Sequence, residues 1–375
     1  MRLAYCYPEA LPSKTARSIQ VVNTCFALAG ELEELILYVP QGVYAGGEIF
    51  SYYGLEKPSN LKISFIRKSL GPITSHKFYN YFLGVSLKKD QPDILFSRHL
   101  QTADFLLNHS APLIYESHEI FSEKKNASTR DNLLEKKVMA NASGVVFISQ
   151  GLRRVMAEHY IITENQEIIP SSAKRIELFA EKQIKPENVN TFVYVGTTRY
   201  GWKGVDVLID AVELLPEKYV LEIVGELDEK FSRQKKVVQL IEQGRLISRG
   251  YLQASEVFSF MRKTKVAVIP NSARDRISAL FTSPLKLIEA ISAGVAVVVS
   301  DLPSMREIVS ENEAVFVQPD NPFSLAAGVR KLFEDDSLRN KLAENGWKRS
   351  REYSWQSRAQ KIADLAQKIL GKFPS

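Results

Sequence analysis

The sequence predicts an α/β protein made of two domains, each with a parallel sheet covered by helices. Three observations lead to this prediction. The chain has 375 residues, which is more than one hydrophobic core usually sustains. Short apolar runs typical of buried strands alternate with segments of helical periodicity. This alternation becomes irregular over residues 162–190 and then restarts with a new apolar run at Thr191–Val195.

The first half of the chain opens in the order strand, helix, strand. Further strand-like and helix-like segments then follow in alternation, as expected when helices connect parallel strands and cover the sheet. The predicted strands span residues 2–6, 35–39, 63–66, 94–97, 113–115 and 144–149, and the predicted helices span residues 18–28, 102–107 and 132–140.

The second half repeats the alternation and predicts a second α/β domain. Its predicted strands span residues 191–195, 220–224, 246–249, 266–269 and 296–300, and its predicted helices span residues 205–215, 230–243, 255–263 and 284–293. Residues 338–370 are helical and amphipathic, with an interruption around residues 353–355. Two such domains create a cleft, and ligands of open parallel sheets bind beyond the carboxyl ends of the strands.

Composition and charge exclude several classes of protein. With 45% hydrophobic and 25% charged residues, the chain is neither collagen-like nor disordered. The net charge of +6 is spread over both halves, and without zinc-finger or RNA-binding signatures we expect no nucleic-acid partner. Cys6 and Cys25 are too few for a disulfide framework and are expected to be buried thiols. No apolar run approaches the ~18 residues that cross a bilayer, which predicts a soluble, cytoplasmic protein.

The segment 282–294 predicts a helix whose start binds an anion. Ser283 is expected to cap the first turn, Pro284 to occupy the first helical position, and Gly294 to take the left-handed conformation at the end. An exposed helix start offers unpaired N–H groups and partial positive charge to a phosphate. Glu289, about one and a half turns on, is placed to accept hydrogen bonds from hydroxyls. The alternative is an ordinary helix start with a solvated glutamate.

The segment 195–204 ends a strand and opens the next helix, again at the ligand edge of the sheet. Gly196 and Gly201 permit close approach of the backbone. Arg199 and Lys203 supply two cations able to balance a diphosphate. This segment and the helix start at Ser283 therefore converge on the same prediction, a bound diphosphate.

These motifs resemble the retaining glycosyltransferases of family 4, most closely over residues 191–360. The resemblance rests on the basic loop with Lys203-Gly204, on Ser283-Pro284-x-Lys286-x-x-Glu289, on Asp301-Leu302-Pro303-x-x-Arg306-Glu307 and on Tyr353-Ser354-Trp355. It is looser in the first half, at Glu116-Ser117-His118-Glu119 and at 148–152. It implies the GT-B architecture: two facing Rossmann-like domains with a deep cleft, an acceptor-side domain over 1–175, a nucleotide-sugar domain over 176–354, and a helix over 355–375 packing back on the first domain.

The resemblance also implies roles for individual residues. His118, Arg199 and Lys203 are the implied catalytic residues, with His118 near the donor sugar and the two cations on the diphosphate. Glu289 is the implied ribose ligand. The remaining implied binding positions are Gly196, Ser283, Pro284, Leu285 and Lys286, together with Gly250, Tyr251 and Leu252, which resemble the turn that holds the nucleotide base. For His99 we expect a structural role.

Two features depart from the family. It usually has an acid eight residues before the position of Glu289, where the donor sugar binds, and this chain has Phe281 there. The first strand-to-helix turn is often glycine-rich in the family, whereas residues 12–18 contain no glycine. Lys14 and Arg17 in that turn are either acceptor ligands or solvated side chains. The identity of the donor sugar therefore stays open.

The resulting expectation is transfer of a sugar from a UDP-, GDP- or ADP-sugar to a hydroxyl of a glycan, a lipid-linked saccharide or a small molecule. No cofactor or metal is expected, because no paired acidic motif lies at a strand end, and retention of configuration rests on the resemblance alone. The alternatives are a nucleotide-sugar epimerase of the same architecture and a degenerate, binding-only relative. Residues 68–89 interleave aromatic and basic side chains, which is typical of a packed amphipathic helix or, alternatively, of peripheral contact with the cytoplasmic face of a membrane.

Overall fold

The structure is a computed structural model that describes residues 1–42, 46–70, 73–124, 127–179 and 190–371. The chain divides into two compact units. Unit 1 comprises Met1–Pro170 and Trp355–Ser375, and unit 2 comprises Ser171–Ser354. Part of the predicted irregular stretch, residues 180–189, lies outside the described residues.

Unit 1 contains a parallel sheet and a short hairpin. The strands described in it are β1 (Arg2–Cys6), β2 (Glu34–Pro40), β3 (Leu61–Ile66), β4 (Ser69–Leu70), β5 (Ile73–Thr74), β6 (Ile94–Ser97), β7 (Leu113–Ser117), β8 (Gly144–Phe147) and β9 (Gln166–Ile168). The sheet has the order β3-β2-β1-β6-β7-β8-β9, and β4 pairs with β5 in the antiparallel hairpin. The order reverses direction between β1 and β6, which is where ligands of such sheets bind.

The helices of unit 1 connect these strands. Those described are α1 (Ala16–Ala29), α2 (Gly46–Tyr52), α3 (His76–Asp90), α4 (Leu100–Leu106), α5 (Thr129–Asn141) and α6 (Gln150–His159). Side-chain hydroxyls define several starts, because they accept hydrogen bonds from first-turn N–H groups that have no partner inside the helix. Ser149 does this for α6 and Ser128 for α5.

Unit 2 contains a second parallel sheet. Its described strands are β10 (Thr191–Val195), β11 (Val220–Val224), β12 (Leu246–Gly250), β13 (Val266–Ile269), β14 (Ala296–Ser300) and β15 (Ala314–Val317). They lie in the order β12-β11-β10-β13-β14-β15. The direction of the strand order therefore reverses between β10 and β13, as in dinucleotide-binding sheets. The structure confirms the predicted α/β class.

The helices of unit 2 differ from the prediction in two ways: one predicted helix is divided, and residues 303–306 and 322–334 form helices that were not predicted. The helices described are α7 (Val205–Leu214), α8 (Glu229–Ser232), α9 (Lys235–Glu242), α10 (Ala254–Met261), α11 (Leu285–Ser292), α12 (Pro303–Arg306), α13 (Pro322–Glu334) and α14 (Asp336–Arg349). The prediction of a single helix over residues 230–243 is therefore wrong. Gln234 has an extended backbone that ends α8 and starts α9.

Both faces of the unit 2 sheet are buried. Successive strand side chains point to opposite faces, and along β10 they alternate between two separate cores. Phe192 and Tyr194 belong to one core and Val193 and Val195 to the other. Burial on both faces explains why this strand is a continuous apolar run in the sequence.

The last described helix, α15 (Trp355–Ile369), belongs to unit 1. Its Ala359, Ile362 and Leu365 join the core that contains Val21 and Val22 of α1. Burial of the Ile362 and Leu365 side chains stabilises the fold by roughly 1.5–3 kcal/mol each. Within the part of the chain that the structure describes, no helix is both long and apolar enough to span a bilayer.

Candidate functional site

The loop after β10 lies at the reversal point of the unit 2 sheet. Its last residues, Gly201–Lys203, form one 3₁₀ turn, and Gly204 follows with a left-handed backbone (φ 66°). A Cβ atom at Gly204 would lie 1.8 Å from the carbonyl oxygen of Pro270. Only glycine fits this close approach to the residue after β13, so the backbone holds Lys203 at the start of α7.

The loops after β10, β11 and β12 lie against one another. Gly225 donates its N–H to the Gly250 carbonyl at 2.8 Å, and a Cβ atom on it would lie 2.2 Å from the Gly196 carbonyl oxygen. Gly250 has a left-handed backbone. Tyr251 follows it with a side chain that is 39% exposed. The predicted binding positions Gly196, Gly250 and Tyr251 are thus brought to one edge of the sheet.

The start of α11 differs from the prediction. The helix begins at Leu285, and Pro284 stands before it without a capping side chain. Ser283 does not cap the turn, because its hydroxyl accepts a hydrogen bond from the N–H of Ser171 at 2.8 Å. Among the described residues, no group accepts a hydrogen bond from the N–H of Leu285 or Lys286. These two donors are therefore open to an external anion.

The end of α11 confirms the prediction for Gly294. Its backbone is left-handed (φ 71°). Gly294 donates its N–H to Ile291, and Val295 donates its N–H to Ala290, each at 3.0 Å. These two bonds are the Schellman arrangement, which satisfies carbonyls at the end of the helix.

A π-helical turn, Ile277–Phe281, precedes α11. It contacts the loop between β10 and α7, which is called the Lys203 loop below. The carbonyl of Trp202 accepts hydrogen bonds from the N–H of Ser272 at 2.9 Å and from the hydroxyl of Ser278 at 3.3 Å. Phe281 is buried, with the Arg276 guanidinium 5.5 Å from its ring centre. The position that bears an acid in the family therefore holds a packed aromatic ring.

The Lys203 loop and α11 each contribute a positively charged side chain, Lys203 and Lys286. Burial and the charge of Lys286 lower the pKa of Lys203 to about 8. Lys286 forms an ion pair with Glu289, whose Oε2 lies 2.7 Å from its Nζ. The ammonium of Lys203 lies 4.0 Å from the ring centre of Trp202, and no carboxylate among the described residues pairs with it. An anion between Lys203 and the open N–H groups of α11 would relieve this repulsion.

Arg199 has a different environment from Lys203. Its side chain is 68% exposed, and its Nε lies 4.0 Å from Asp228, the residue that caps α8. The contacts described for Arg199 do not join it to Lys203 or to Lys286. Its implied role on the diphosphate therefore remains a prediction.

In unit 1, His118 follows β7 at the carboxyl end of the sheet. Its Nε2 lies 2.8 Å from Oε1 of Glu116, and the imidazole is 20% exposed. Burial and the charge of Arg98 lower the pKa of His118 to about 4, so the ring is neutral at pH 7. The other ring nitrogen, Nδ1, accepts a hydrogen bond in one tautomer of the neutral ring and donates one in the other tautomer.

Glu116 is buried and ionised because of Arg358 on α15. The Arg358 guanidinium donates to this carboxylate, and it also donates to Thr24 at 3.1 Å and to the carbonyls of Ile169 and Pro170 at 3.1 and 3.0 Å. Burial by itself would raise the pKa of Glu116, but the charges of Arg358 and His118 lower it well below the ordinary value.

Glu119 and His99, which also lie at the carboxyl ends of strands in unit 1, have structural partners. Glu119 pairs with Lys124 at 2.8 Å. His99 caps α4, because its Nδ1 accepts a hydrogen bond from the N–H of Thr102. The structural role expected for His99 is thus confirmed, and Glu116 is the partner of His118.

Arg358 was not identified from the sequence. It is separated from Glu116 by 242 positions, and no local motif connects them. The available signal was an arginine inside the apolar stripe of an amphipathic helix, next to Ala359. A buried arginine needs an anionic partner, but the sequence pattern does not say which one.

Comparison with known proteins assigns part of the chain to a family. Residues 175–349 match the family described as glycosyl transferases group 1. This segment contains the Lys203 loop and the whole of α11. His118 and Arg358 lie outside it.

Two relatives illustrate the similarity in sequence. A phosphatidyl-myo-inositol mannosyltransferase of Mycobacterium tuberculosis is 27% identical over 198 residues, which are 50% of this chain and 49% of that protein. An uncharacterized glycosyltransferase of Methanocaldococcus jannaschii is 23% identical over 251 residues, which are 64% of this chain and 62% of that one. The match therefore spans about half the length of the mannosyltransferase.

Solved structures share the fold over nearly the whole chain. Sucrose-phosphate synthase of Thermosynechococcus elongatus has a TM-score of 0.76 at 13% identity, covering 99% of this chain and 100% of that chain. HepE of Anabaena, in complex with UDP, has a TM-score of 0.73 at 15% identity, covering 98% and 100%. HepE has also been crystallised with UDP-glucose. At such low identities the comparison establishes the GT-B fold and nothing finer.

Proposed function

Because residues 175–349 belong to the glycosyl transferases group 1 family, we propose that this protein transfers a sugar from a nucleoside diphosphate sugar to a hydroxyl group of an acceptor. The acceptor is a glycan, a lipid-linked saccharide or a small molecule. One observation carries the proposal: no carboxylate among the described residues pairs with the Lys203 ammonium, which interacts electrostatically with Lys286 in the open first turn of α11. This arrangement suits a diphosphate.

The proposed chemistry follows from where negative charge develops. When the bond between the sugar and the diphosphate breaks, charge accumulates on the leaving phosphate. Lys203 and the N–H groups of Leu285 and Lys286 then interact more strongly with the transition state than with the bound donor. Such differential stabilisation accelerates the reaction. Retention of configuration and independence from metal are part of the proposal by similarity to the family.

The remaining groups have roles in binding. Glu289 uses Oε2 for Lys286, which leaves Oε1 to accept hydrogen bonds from ribose hydroxyls. The backbone at Gly250 and Tyr251 is proposed to hold the base. Nε2 of His118 lies against the Glu116 carboxylate, and Nδ1 of the neutral ring is proposed to accept a hydrogen bond from a substrate hydroxyl. HepE, crystallised with UDP-glucose, makes UDP-sugars the first donors to test.

The proposal is tested by incubating the protein with UDP-, GDP- and ADP-sugars, with and without a panel of acceptor sugars. We expect one nucleoside diphosphate to raise the melting temperature, since a ligand that binds only the folded state stabilises it. A new glycoside should form only when an acceptor is present, and its formation should persist in EDTA. A changed donor sugar without acceptor would indicate an epimerase. Binding without any turnover would indicate a degenerate relative.

Contact with an anionic membrane surface is proposed for α3. Tyr79, Leu83 and Leu87 of this helix are buried in unit 1, as the packed-helix alternative requires. The opposite face exposes Tyr81 and Val85, at 66% and 56%, between the exposed basic side chains of Lys77, Lys88 and Lys89. Basic residues flanking apolar ones favour binding to anionic lipid surfaces.

We expect this protein to co-sediment with vesicles containing anionic lipid and not with neutral vesicles. Replacing Tyr81 and Val85 by serine should reduce the bound fraction by about 10-fold, because the inserted apolar area is lost. The matched control replaces Val238 and Ile241, which are exposed on α9 in unit 2. The proposal would be contradicted if both double variants lost the same share of vesicle binding, or if the wild type did not bind anionic vesicles.

A further inference from the structure

Unit 1 contains a cavity of about 610 Å³ at the carboxyl ends of β2 and β3. Pro40 ends β2, and Arg67 and Lys68 directly follow β3. This edge of a parallel sheet is where ligands bind, and the volume lies within the range of small-molecule sites. The residues that line it include Pro40, Gln41, Arg67, Lys68, Ser69 and Thr74.

Two cationic side chains of the lining are held in place by backbone carbonyls. Arg67 donates its Nε–H to the carbonyl of Ser69 at 3.0 Å. Lys68 donates from Nζ to the carbonyl of Pro8 at 2.6 Å. A guanidinium has five N–H donors and an ammonium has three, so most donors of both groups remain free. Within the described ranges, no carboxylate forms an ion pair with either cation.

The charge of Glu9 acts on Lys68, but burial has the larger effect and lowers the pKa of Lys68. Glu9 accepts a hydrogen bond from the Tyr7 hydroxyl at 2.8 Å and pairs with Arg17 at 2.5 Å. Arg17 thus has an internal partner, and its suggested role as an acceptor ligand stays a prediction. Burial and the charge of Lys68 lower the pKa of His76, which is consistent with a positive potential here.

We propose that this cavity binds an anionic group, a carboxylate or a phosphate, on the acceptor substrate. The proposal rests on the proposed function and specifies the class of acceptor. The planar fork of Arg67 suits two oxygens of one anion, and Lys68 adds a point charge. Gln41, Ser69 and Thr74 supply donors and acceptors for hydroxyls of the same ligand.

The test measures binding directly and is independent of turnover. Glucose, glucuronic acid and glucose 6-phosphate are titrated into the protein by calorimetry, and vesicles containing phosphatidic acid test the same phosphate chemistry on a lipid. We expect the acidic sugars to bind at least about 10-fold more tightly than glucose, since charge-assisted hydrogen bonds are stronger than neutral ones. Preference for vesicles over both acidic sugars, if it persists when Tyr81 and Val85 of α3 are replaced by serine, would assign the anion to a lipid-linked acceptor.

The variant Arg67→Gln/Lys68→Gln should lose this preference for acidic sugars. The control is Lys62→Gln, which removes an exposed cation from β3 that pairs with Glu34 and lies outside the cavity. Transfer to an acidic acceptor should show a KM raised 10- to 100-fold in the double variant, with the KM for the donor unchanged.

The possible results distinguish failure of the proposed anion site from failure of the proposed sugar-transfer function. Binding of acidic sugars that the double variant abolishes, without transfer from any donor, would support the anion site and reject the proposed function. Transfer to neutral acceptors with the same KM in wild type and double variant would support the function and overturn the anion site. Failure of every anion to bind, or an equal loss in Lys62→Gln, would also overturn it.

Discussion

Replacing Lys203 by alanine is expected to lower kcat/KM of sugar transfer by a factor of about 10² to 10³, the range for loss of one preorganised electrostatic donor. The ammonium is held at the reversal point of the unit 2 sheet by the Gly204 backbone. It has no carboxylate partner within the described residues, and it faces the charge of Lys286. Its free energy of interaction is therefore available to the leaving diphosphate.

The stability of the Lys203→Ala variant should not fall. A lysine whose pKa is lowered to about 8 by burial and a like charge costs the folded state free energy when protonated at pH 7. Its removal should leave the melting temperature of the free protein unchanged or slightly higher. A variant that lost both stability and activity would indicate a structural role instead.

The pH dependence of the KM for the donor tests the role of Lys203 in an independent way. As pH rises through 8, Lys203 in the free protein loses its proton and its attraction for a diphosphate. The KM for the donor should rise above pH 8 in the wild type, and the rise should be absent from Lys203→Ala. The matched control is Lys236→Ala, since Lys236 is exposed and pairs with Asp210 and Glu213. Full activity in Lys203→Ala would remove the basis of the proposed function.

Replacing Arg358 by methionine is expected to lower the free energy of unfolding by about 3–5 kcal/mol, the usual cost of breaking a buried ion pair from one side. Arg358 is 3% exposed and contacts Glu116, Thr24 and two backbone carbonyls. Without it, the carboxylate of Glu116 stays buried with no full countercharge. Urea denaturation followed by circular dichroism measures the difference.

The destabilisation should depend on pH with a defined sign. The pKa of Glu116 is held well below its unfolded value of 4.5 in the wild type, although burial opposes this. This contribution to stability is present above pH 4.5 and is lost as pH falls towards the folded pKa. Removing Arg358 abolishes this contribution. The difference in free energy of unfolding between wild type and variant should therefore be largest near pH 7 and should decrease below pH 4.5.

Two further variants make this result interpretable. Combining Arg358→Met with Glu116→Gln removes both charges and should recover part of the lost stability, because the unpaired buried charge is gone. Lys361→Met alters an exposed residue on the same helix and should change stability by less than about 0.5 kcal/mol. Equal stabilities for Arg358→Met and Lys361→Met would show that the buried pair contributes nothing.

Most of the fold was predictable because its signals are local. The strands Arg2–Cys6, Val220–Val224, Val266–Ile269 and Ala296–Ser300 begin and end where their apolar runs do. In a parallel sheet buried on both faces, most positions of a strand carry apolar side chains, so its limits are visible in the sequence. The break at Gln234 was missed because periodicity continues across it, while an extended backbone at one residue is enough to end a helix.

The helix α11 shows how far local reasoning extends. Gly294 ends this helix as predicted, since a left-handed residue at that place suits glycine whatever surrounds it. Ser283 was expected to cap the helix, and this was wrong. Its hydroxyl had two competing partners, the first turn of α11 and the N–H of Ser171, which lies 112 positions away in the sequence. Chain packing decided between them.

The sequence by itself determined the class of fold, most strands of both sheets but not the edge strands β9 and β15, and the residue types that mark a phosphate-binding edge in unit 2. Each of these depends on periodicity or on the backbone preference of one residue, both of which act over a few positions. Only the tertiary structure decided that the charge of Lys286 acts on Lys203, that Arg67 and Lys68 share a cavity, and that Arg358 keeps Glu116 ionised. These charges act through space over a few ångströms, and the distances between them are set by the packing of elements that lie far apart in the chain.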